Sequence, residues 1–246
     1  MARFHSDWRM SLFVVLMLPL VIALGVWQLQ RADYKRALED AYFDQLGALP
    51  IPLQKQRPDD FARVSVVGVY REPHYLLDNQ VKDGQPGYWV LSPFESESVG
   101  TVLVNRGWVS QGRTRAHIPE LSTPVGGSCA TCSITLVGMV WPDTGLLPLF
   151  GAEVAEVLSP SWVRLQRIDW DLLVKATDKV TRNATENGLG LRRLELRLEE
   201  GQPGVLSPAP QLIEFGVARH MGYAVQWFGL GVALVGCFLF YGFRRT

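Results

Sequence analysis

The stretch Met221–Phe243, MGYAVQWFGLGVALVGCFLFYGF, carries no charged side chain and is followed at once by Arg244 and Arg245. At ~1.5 Å per residue such a helix crosses a hydrocarbon core of ~30 Å. A second run of the same kind, Ser11–Leu29 (SLFVVLMLPLVIALGVWQL), lies near the other end of the chain. Between them sits a polar segment of about 190 residues, long enough for one globular domain with its own core. The predicted organisation is an N-terminal tail over 1–10, a first span over 11–29, an extramembrane domain over 30–219, a second span over 220–243 and a short tail over 244–246. A soluble metabolic enzyme does not fit this layout.

Flanking charge sets the expected orientation. Arg244 and Arg245 favour a cytoplasmic C-terminus, and Arg3 and Arg9 a cytoplasmic N-terminus, while Arg31, Lys35 and Arg36 argue the other way. Two spans put both termini on one side, so the prediction is termini inside and domain outside. Arg3, Arg9 and the small-residue site Ala23-Leu24-Gly25 also suit a cleaved signal peptide. The first apolar run exceeds the usual h-region of about 7–15 residues, which favours an uncleaved anchor.

Lys and Arg total 24 and Asp and Glu total 24, so no basic excess exists to bind nucleic acid. Three cysteines do not build a disulfide scaffold. The domain must be held by its own core. Leu29–Leu46 lacks Gly and Pro and continues the first span as helix, until Gly47, Pro50 and Pro52 stop it. Short extended runs then follow: Phe61–Tyr70, His74–Asp78, Tyr88–Phe94, Thr101–Val109, Ile134–Trp141, Trp162–Gln166 and Arg192–Leu198. Asp83-Gly84 and Pro86-Gly87 read as turns. The one later helix is expected over 168–178, a polar loop over 111–133, and a Pro/Gly linker over 202–210. The predicted fold class is α+β, with two transmembrane helices flanking an antiparallel β-sheet or small β-barrel domain.

Several constellations admit more than one role. His220, Tyr223, Ala224 and Trp227 share one face of the second span. Imidazole is an axial ligand for haem iron, and flat aromatics beside it suit a macrocycle. The same residues also suit a membrane interface. Trp27 and Arg31, one turn apart, form either an interfacial anchor or a site for an anionic group such as a propionate or lipid phosphate. In Val104–Val109, Asn105 and Gly107 suit a turn, and Arg106 with Trp108 a stacked or ion-paired corner. Gly229, Ala233 and Cys237 make a small-residue stripe expected to pack on the first span near Ala23 or Gly25. Cys129-x-x-Cys132 lies in a loop without a second Cys or His pair, which suits a simple disulfide or incidental thiols. His74 and His117 read as isolated surface histidines. No motif of hydrolase, phosphate-binding or zinc-protease type is present.

Taken in order, G-V-W-Q-L-Q-R at 25–31, V-V-G-V-Y at 66–70, G-Y-W-V-L-S-P-F at 87–94, L-V-N-R-G-W-V at 103–109 and H-M-G-Y-A-V-Q-W-F-G at 220–229 resemble the Surfeit locus protein 1 family of cytochrome c oxidase assembly factors. The resemblance spans nearly the whole chain. It implies a non-enzymatic protein of the bacterial inner (cytoplasmic) membrane or the mitochondrial inner membrane, with the β-rich domain in the periplasm or intermembrane space. The short termini, with no transit peptide ahead of the first span, favour the bacterial case. It further implies haem a as a transiently bound cofactor, with His220 as the ligand to its iron and Tyr223, Trp227, Trp27 and Arg31 as neighbours. The implied partners are the catalytic subunit of a haem-copper oxidase, haem a synthase and membrane lipid. The alternative is a membrane-anchored scaffold that binds oxidase subunits and never touches haem. A third is a thiol oxidoreductase built on Cys129 and Cys132, a pair that is no feature of the family.

Overall fold

The computed structural model describes residues 7–112, 121, 133–143, 155–171, 173, 191–207 and 216–244. The chain divides into two compact units, one formed by 1–43 with 212–246 and the other by 44–211. Cys129, Cys132 and His117 lie outside the described residues.

The first unit is a pair of helices. Helix α1 runs Trp8–Leu46 without a break. At 39 residues it is ~58 Å long, about twice a hydrocarbon core. Its apolar part and its charged continuation are therefore one rod. Pro19 sits inside the apolar part, where neighbouring groups in a membrane helix can re-satisfy the carbonyl it frees. The helix stops where expected, with Ala48 N donating to Gln45 O at 3.1 Å. Helix α2 runs Val217–Arg244. Gly216, at φ +76°, opens it, and its carbonyl accepts from Arg219 N and His220 N. Arg244 lies in the last turn, where a cation complements the helix dipole. Both helices are long and apolar enough to cross a membrane.

The two helices run antiparallel along a shared seam. On α1 the seam carries Val14, Leu18, Val21, Gly25, Gln28 and Ala32, at alternating steps of four and three. On α2 it carries His220, Ala224, Phe228 and Gly231. A methyl group at Gly25 would come within 2.8 Å of the Phe228 ring, so only glycine admits it. Gly231 faces Val21 and Leu18 with room to spare, at 3.5 and 3.7 Å. The expected stripe of Gly229, Ala233 and Cys237 is instead exposed, and nothing stands within 4 Å of Gly229. Small residues occupy two faces of α2, and the face holding Phe228 wins because its ring fits the Gly25 notch. Gly25 is thus the partner expected, whereas Ala23 is exposed.

The second unit is β-rich. Its strands are β1 (Ile51–Pro52), β2 (Arg63–Tyr70), β3 (His74–Lys82), β4 (Gln85–Ser96), β5 (Gly100–Ser110), β6 (Ile134–Trp141), β7 (Glu156–Ser159), β8 (Trp162–Leu165) and β9 (Leu191–Leu198). The sheet order is β1-β2-β6-β9-β5-β4-β3-β8-β7, and β2 also pairs with β4. That extra pairing closes β2-β6-β9-β5-β4 into a five-stranded barrel, the second of the two architectures expected. The closing seam is short, Val69 opposite Glu95 and Tyr70 opposite Phe94. It needs a glycine beside it, because a Cβ at Gly68 would stand 2.2 Å from the Glu95 carbonyl oxygen. Strand β4 is long enough to serve two neighbours. Its first part pairs with β3 and its end with β2, while β5 runs along its other edge.

Most pairs are antiparallel, but β5–β9, β3–β8 and β1–β2 are parallel. Parallel pairs need long connections, and the chain supplies them by running through other strands between β3 and β8 and between β5 and β9. Period-two alternation divides the core. Val64, Val66, Val102, Val104, Leu136, Val140 and Leu196 fill the barrel. Leu91, Leu103, Tyr75, Val163 and Trp170 pack a second layer outside it.

Local differences from expectation have local causes. Asp83 (φ +51°) and Gly84 (φ +74°) form the β3–β4 turn, as two left-handed residues should. Pro86 and Gly87 are not a turn; both lie inside β4. Gly87 is there because the Trp108 ring and the Val109 carbonyl crowd the place of a Cβ. Strand β3 runs four residues past its expected end through an irregularity at Leu77/Gln80, with Asn79 at φ +61°. Of the helix expected over 168–178, Trp170, Asp171 and Leu173 are helical and the rest lies outside the described residues. The described part of the expected linker is tied to the barrel: Gln202 Oε1 accepts from Val137 N, and Ser207 bridges to Trp108.

Candidate functional site

His220 occupies the first turn of α2, half-buried on the seam. Its Nδ1 lies 2.8 Å from Oε1 of Gln28 on α1. A carbonyl oxygen only accepts, so this contact is a hydrogen bond in the tautomer that has its proton on Nδ1 and its lone pair on Nε2. The other residues singled out from sequence are placed differently. Trp27 and Arg31 are exposed one turn apart on α1, away from the seam, and the Arg31 guanidinium lies 5.4 Å from the Tyr34 ring centre. Tyr223 is exposed and Trp227 half-buried on α2. The structure therefore joins His220 to Gln28, a residue quoted within a motif and given no role. A glutamine whose neighbours at −3, +4 and −7 are all seam residues was the available signal.

The donor set bears on what could bind. Among the described residues no group of three or more His, Cys, Asp or Glu side chains stands ready for a metal ion. A bare ion needs several protein ligands. An iron already held by a macrocycle would need fewer protein ligands, and the imidazole of His220 is the group here that could supply one.

The β-domain holds a separate constellation. The Arg197 guanidinium is sandwiched between Trp141 at 3.5 Å and Trp89 at 4.1 Å from the ring centres. Its Nε donates to Glu195 Oε1 at 2.9 Å, and the same oxygen accepts from Asn105 Nδ2. Asn105 Oδ1 in turn accepts from Gly107 N, where the left-handed φ of +107° marks a bulge in β5. This chain forms part of the wall of a cleft of about 340 Å³. Arg57, Arg167, Arg193 and Arg197 line it against Asp143 and Glu195, with Trp89, Trp141 and Trp170 as apolar surface. Arg57 and Arg193 are exposed and pair with Asp60 and Asp171 at 2.9 and 2.6 Å.

Two buried side chains, Arg106 and His74, depart from the sequence reading. Arg106 is fully buried over the Tyr70 ring, its Nε donating to Gly204 O at 2.8 Å, while Trp108 Nε1 donates to Gln80 O. The expected Arg106–Trp108 corner is thus a bulge in which each side chain engages another element. Burial pushes the Tyr70 hydroxyl well above its ordinary range, with Arg106 opposing. His74 is not a surface residue: it is 1 % exposed, with Nδ1 2.9 Å from Ser92 Oγ and its ring 5.0 Å from that of Trp162. The parallel β8 strand covers it, and nothing local in the sequence announces that pairing. Burial, then the Arg106 charge, lowers its pKa to about 4 against the pull of Glu72.

The model of the SURF1 family matches residues 15–232. Among curated proteins, a SURF1-like protein of Rickettsia felis is 22% identical over 245 residues, covering 95% of this chain and 96% of its own length. The Surfeit locus protein 1 of Rattus norvegicus is 24% identical over 261 residues, covering 94% of this chain and 75% of its own. The cytochrome oxidase assembly protein SHY1 of Saccharomyces cerevisiae is 31% identical over 117 residues, but that match takes in 41% of this chain and 29% of the yeast protein. The family match runs from inside the first apolar helix to inside the second, across the whole barrel between them, and by that extent the chain belongs to the SURF1 family.

Proposed function

We propose that this chain is an assembly factor for a haem-copper oxidase, holding haem a at His220 and passing it to the catalytic subunit. The observation that supports the reading is the Gln28–His220 hydrogen bond, which with Nδ1 donating leaves the Nε2 lone pair free to ligate. Family membership and the oxidase-assembly role named for the yeast relative support the assembly function. Haem would bring most of its iron's ligands with it, so the His220 imidazole alone would make a weak site. Weak ligation suits a carrier that must release its cargo. Trp27, Tyr223 and Trp227 would offer aromatic surface to the ring, and Arg31 would balance a propionate. With both termini inside, the β-domain stands outside the inner membrane, and haem a synthase is the natural donor. The chain acts as a chaperone for a cofactor and performs no catalytic step. The test is an optical spectrum of the detergent-purified protein co-expressed with haem a synthesis. A haem a spectrum in wild type that is lost in His220→Ala supports the reading; a colourless wild type, or colour that persists in the variant, removes it.

A second reading rests on the β-domain cleft. Exposed Arg57 and Arg193 beside an aromatic wall suit an acidic segment of an oxidase subunit, because surface ion pairs are weak and exchangeable. In this scaffold reading Arg57→Glu with Arg193→Glu abolishes subunit co-purification, and His220→Ala leaves it intact.

A further inference from the structure

We propose that Gln28 is a positioning residue for His220: its side-chain carbonyl holds the Nδ1 proton and thereby makes Nε2 the nitrogen that meets the haem iron. The proposal rests on the reading of His220 as the ligand.

Three features of the helix pair place Gln28 for this role. It lies on the α1 seam between Gly25 and Ala32, facing α2. The Phe228 ring seated against Gly25 fixes how closely the helices approach, so the glutamine reaches the imidazole directly, at 2.8 Å. Gly216 opens α2 four residues before His220, and its carbonyl accepts from His220 N, so the backbone of the imidazole is held from its own helix. The neutral histidine side chain in water favours the proton on Nε2. Reversing that preference needs a fixed acceptor, and the half-buried Gln28 carbonyl on the seam is placed to be one. A hydrogen bond to the distal nitrogen of a ligating histidine also raises its basicity, and losing such a partner weakens metal affinity about 10–100-fold. A plain interhelical clasp would hold the helices together equally well; what it would not do is tune the iron.

The test separates the two. The full chain, labelled with ¹⁵N-histidine in detergent and free of haem, reports the tautomer of each ring by nitrogen chemical shift, with His220→Ala identifying the resonance. The expected result is Nδ1–H in wild type and in Gln28→Glu, and Nε2–H in Gln28→Leu. On loading with haem a, the reduction potential should fall in Gln28→Glu and rise in Gln28→Leu, following acceptor strength, and affinity should drop at least tenfold in Gln28→Leu. An Nε2–H tautomer in wild type, or a potential indifferent to residue 28, overturns the proposal even if haem binds. A wild type with the Nδ1–H tautomer that takes up no haem a overturns the carrier reading instead, and with it the ligating role of Nε2. Gln28→Glu keeps an acceptor in place, so the series remains informative if the leucine variant fails to fold.

Discussion

Acid should unfold the β-domain through one buried imidazole. His74 opens β3 with its ring sealed under Trp162 and its Nδ1 on Ser92. Burial and the Arg106 charge favour the neutral ring, with Glu72 as a weaker counterweight, and the pKa falls from 6.5 to about 4. The unfolded chain therefore binds a proton that the folded chain refuses between those two values. The stabilisation is complete above pH 6.5 and is lost as pH falls towards 4. At about 1.4 kcal/mol per pH unit the total is about 3 kcal/mol, a large share of an ordinary domain's stability. Carboxylates titrate nearby in pH, so the perturbation must isolate the ring. His74→Asn keeps a polar group close to the Nδ1 position and removes the titration. Urea unfolding of the detergent-solubilised full chain, followed by tryptophan fluorescence, gives stability against pH for both proteins. The wild-type curve should fall more steeply across the window, with the gap changing by about 3 kcal/mol. Parallel curves would refute the reasoning, as would a directly measured His74 pKa near 6.5.

Other consequences are equally direct. Gly25→Ala should destabilise the helix pair by about 1–3 kcal/mol by forcing the Phe228 ring aside, whereas Gly231→Ala, with 3.5 Å to its nearest neighbour, should leave the detergent melting temperature unchanged; equal effects would place the seam elsewhere. Gly68→Ala should part β2 from β4, read as faster amide hydrogen exchange at Val69, Tyr70, Phe94 and Glu95, with β3–β4 exchange unaltered. Arg197→Met should cost about 3 kcal/mol, since it removes two cation–π contacts and leaves Glu195 buried without its cation; a urea midpoint within error of wild type would show the sandwich to be idle.

What sequence made visible was whatever has a period. The two apolar runs declared two helices, and alternation located seven strands within a few residues. Strands β1 and β7 are too short to show a period and went unseen. Closure of the barrel rests on two residue pairs and a missing Cβ at Gly68, features that leave no pattern in composition. Pro86-Gly87 read as a turn because those residues usually make one; here Gly87 answers to the Trp108 ring on a neighbouring strand. The seam face of α2 was misjudged for a related reason. Small residues on a helix mark places where a partner can approach, and only the partner's shape, the Phe228 ring, decides between two such faces. His74 reads from sequence as a surface residue, since a lone histidine in a strand says nothing about what a distant strand lays across it. At the candidate site the motif singles out His220. Gln28 was not, because its role depends on a contact 192 positions away.

The place of β9 in the barrel has a consequence for how the protein is made. This strand lies between β6 and β5 in the ring, yet among the described residues it is the last strand synthesised, and only residues 199–216 separate it from α2. Until it emerges, β5 and β6 present open edges, which is a hazard for aggregation. The domain cannot be finished strand by strand behind the ribosome. Its closure waits for nearly the whole chain, when the second hydrophobic segment is itself about to leave the exit tunnel. A premature stop anywhere before Leu191 thus does more than remove an anchor. It strips the keystone from the barrel, leaving a tethered fragment that a quality-control protease would meet unfolded.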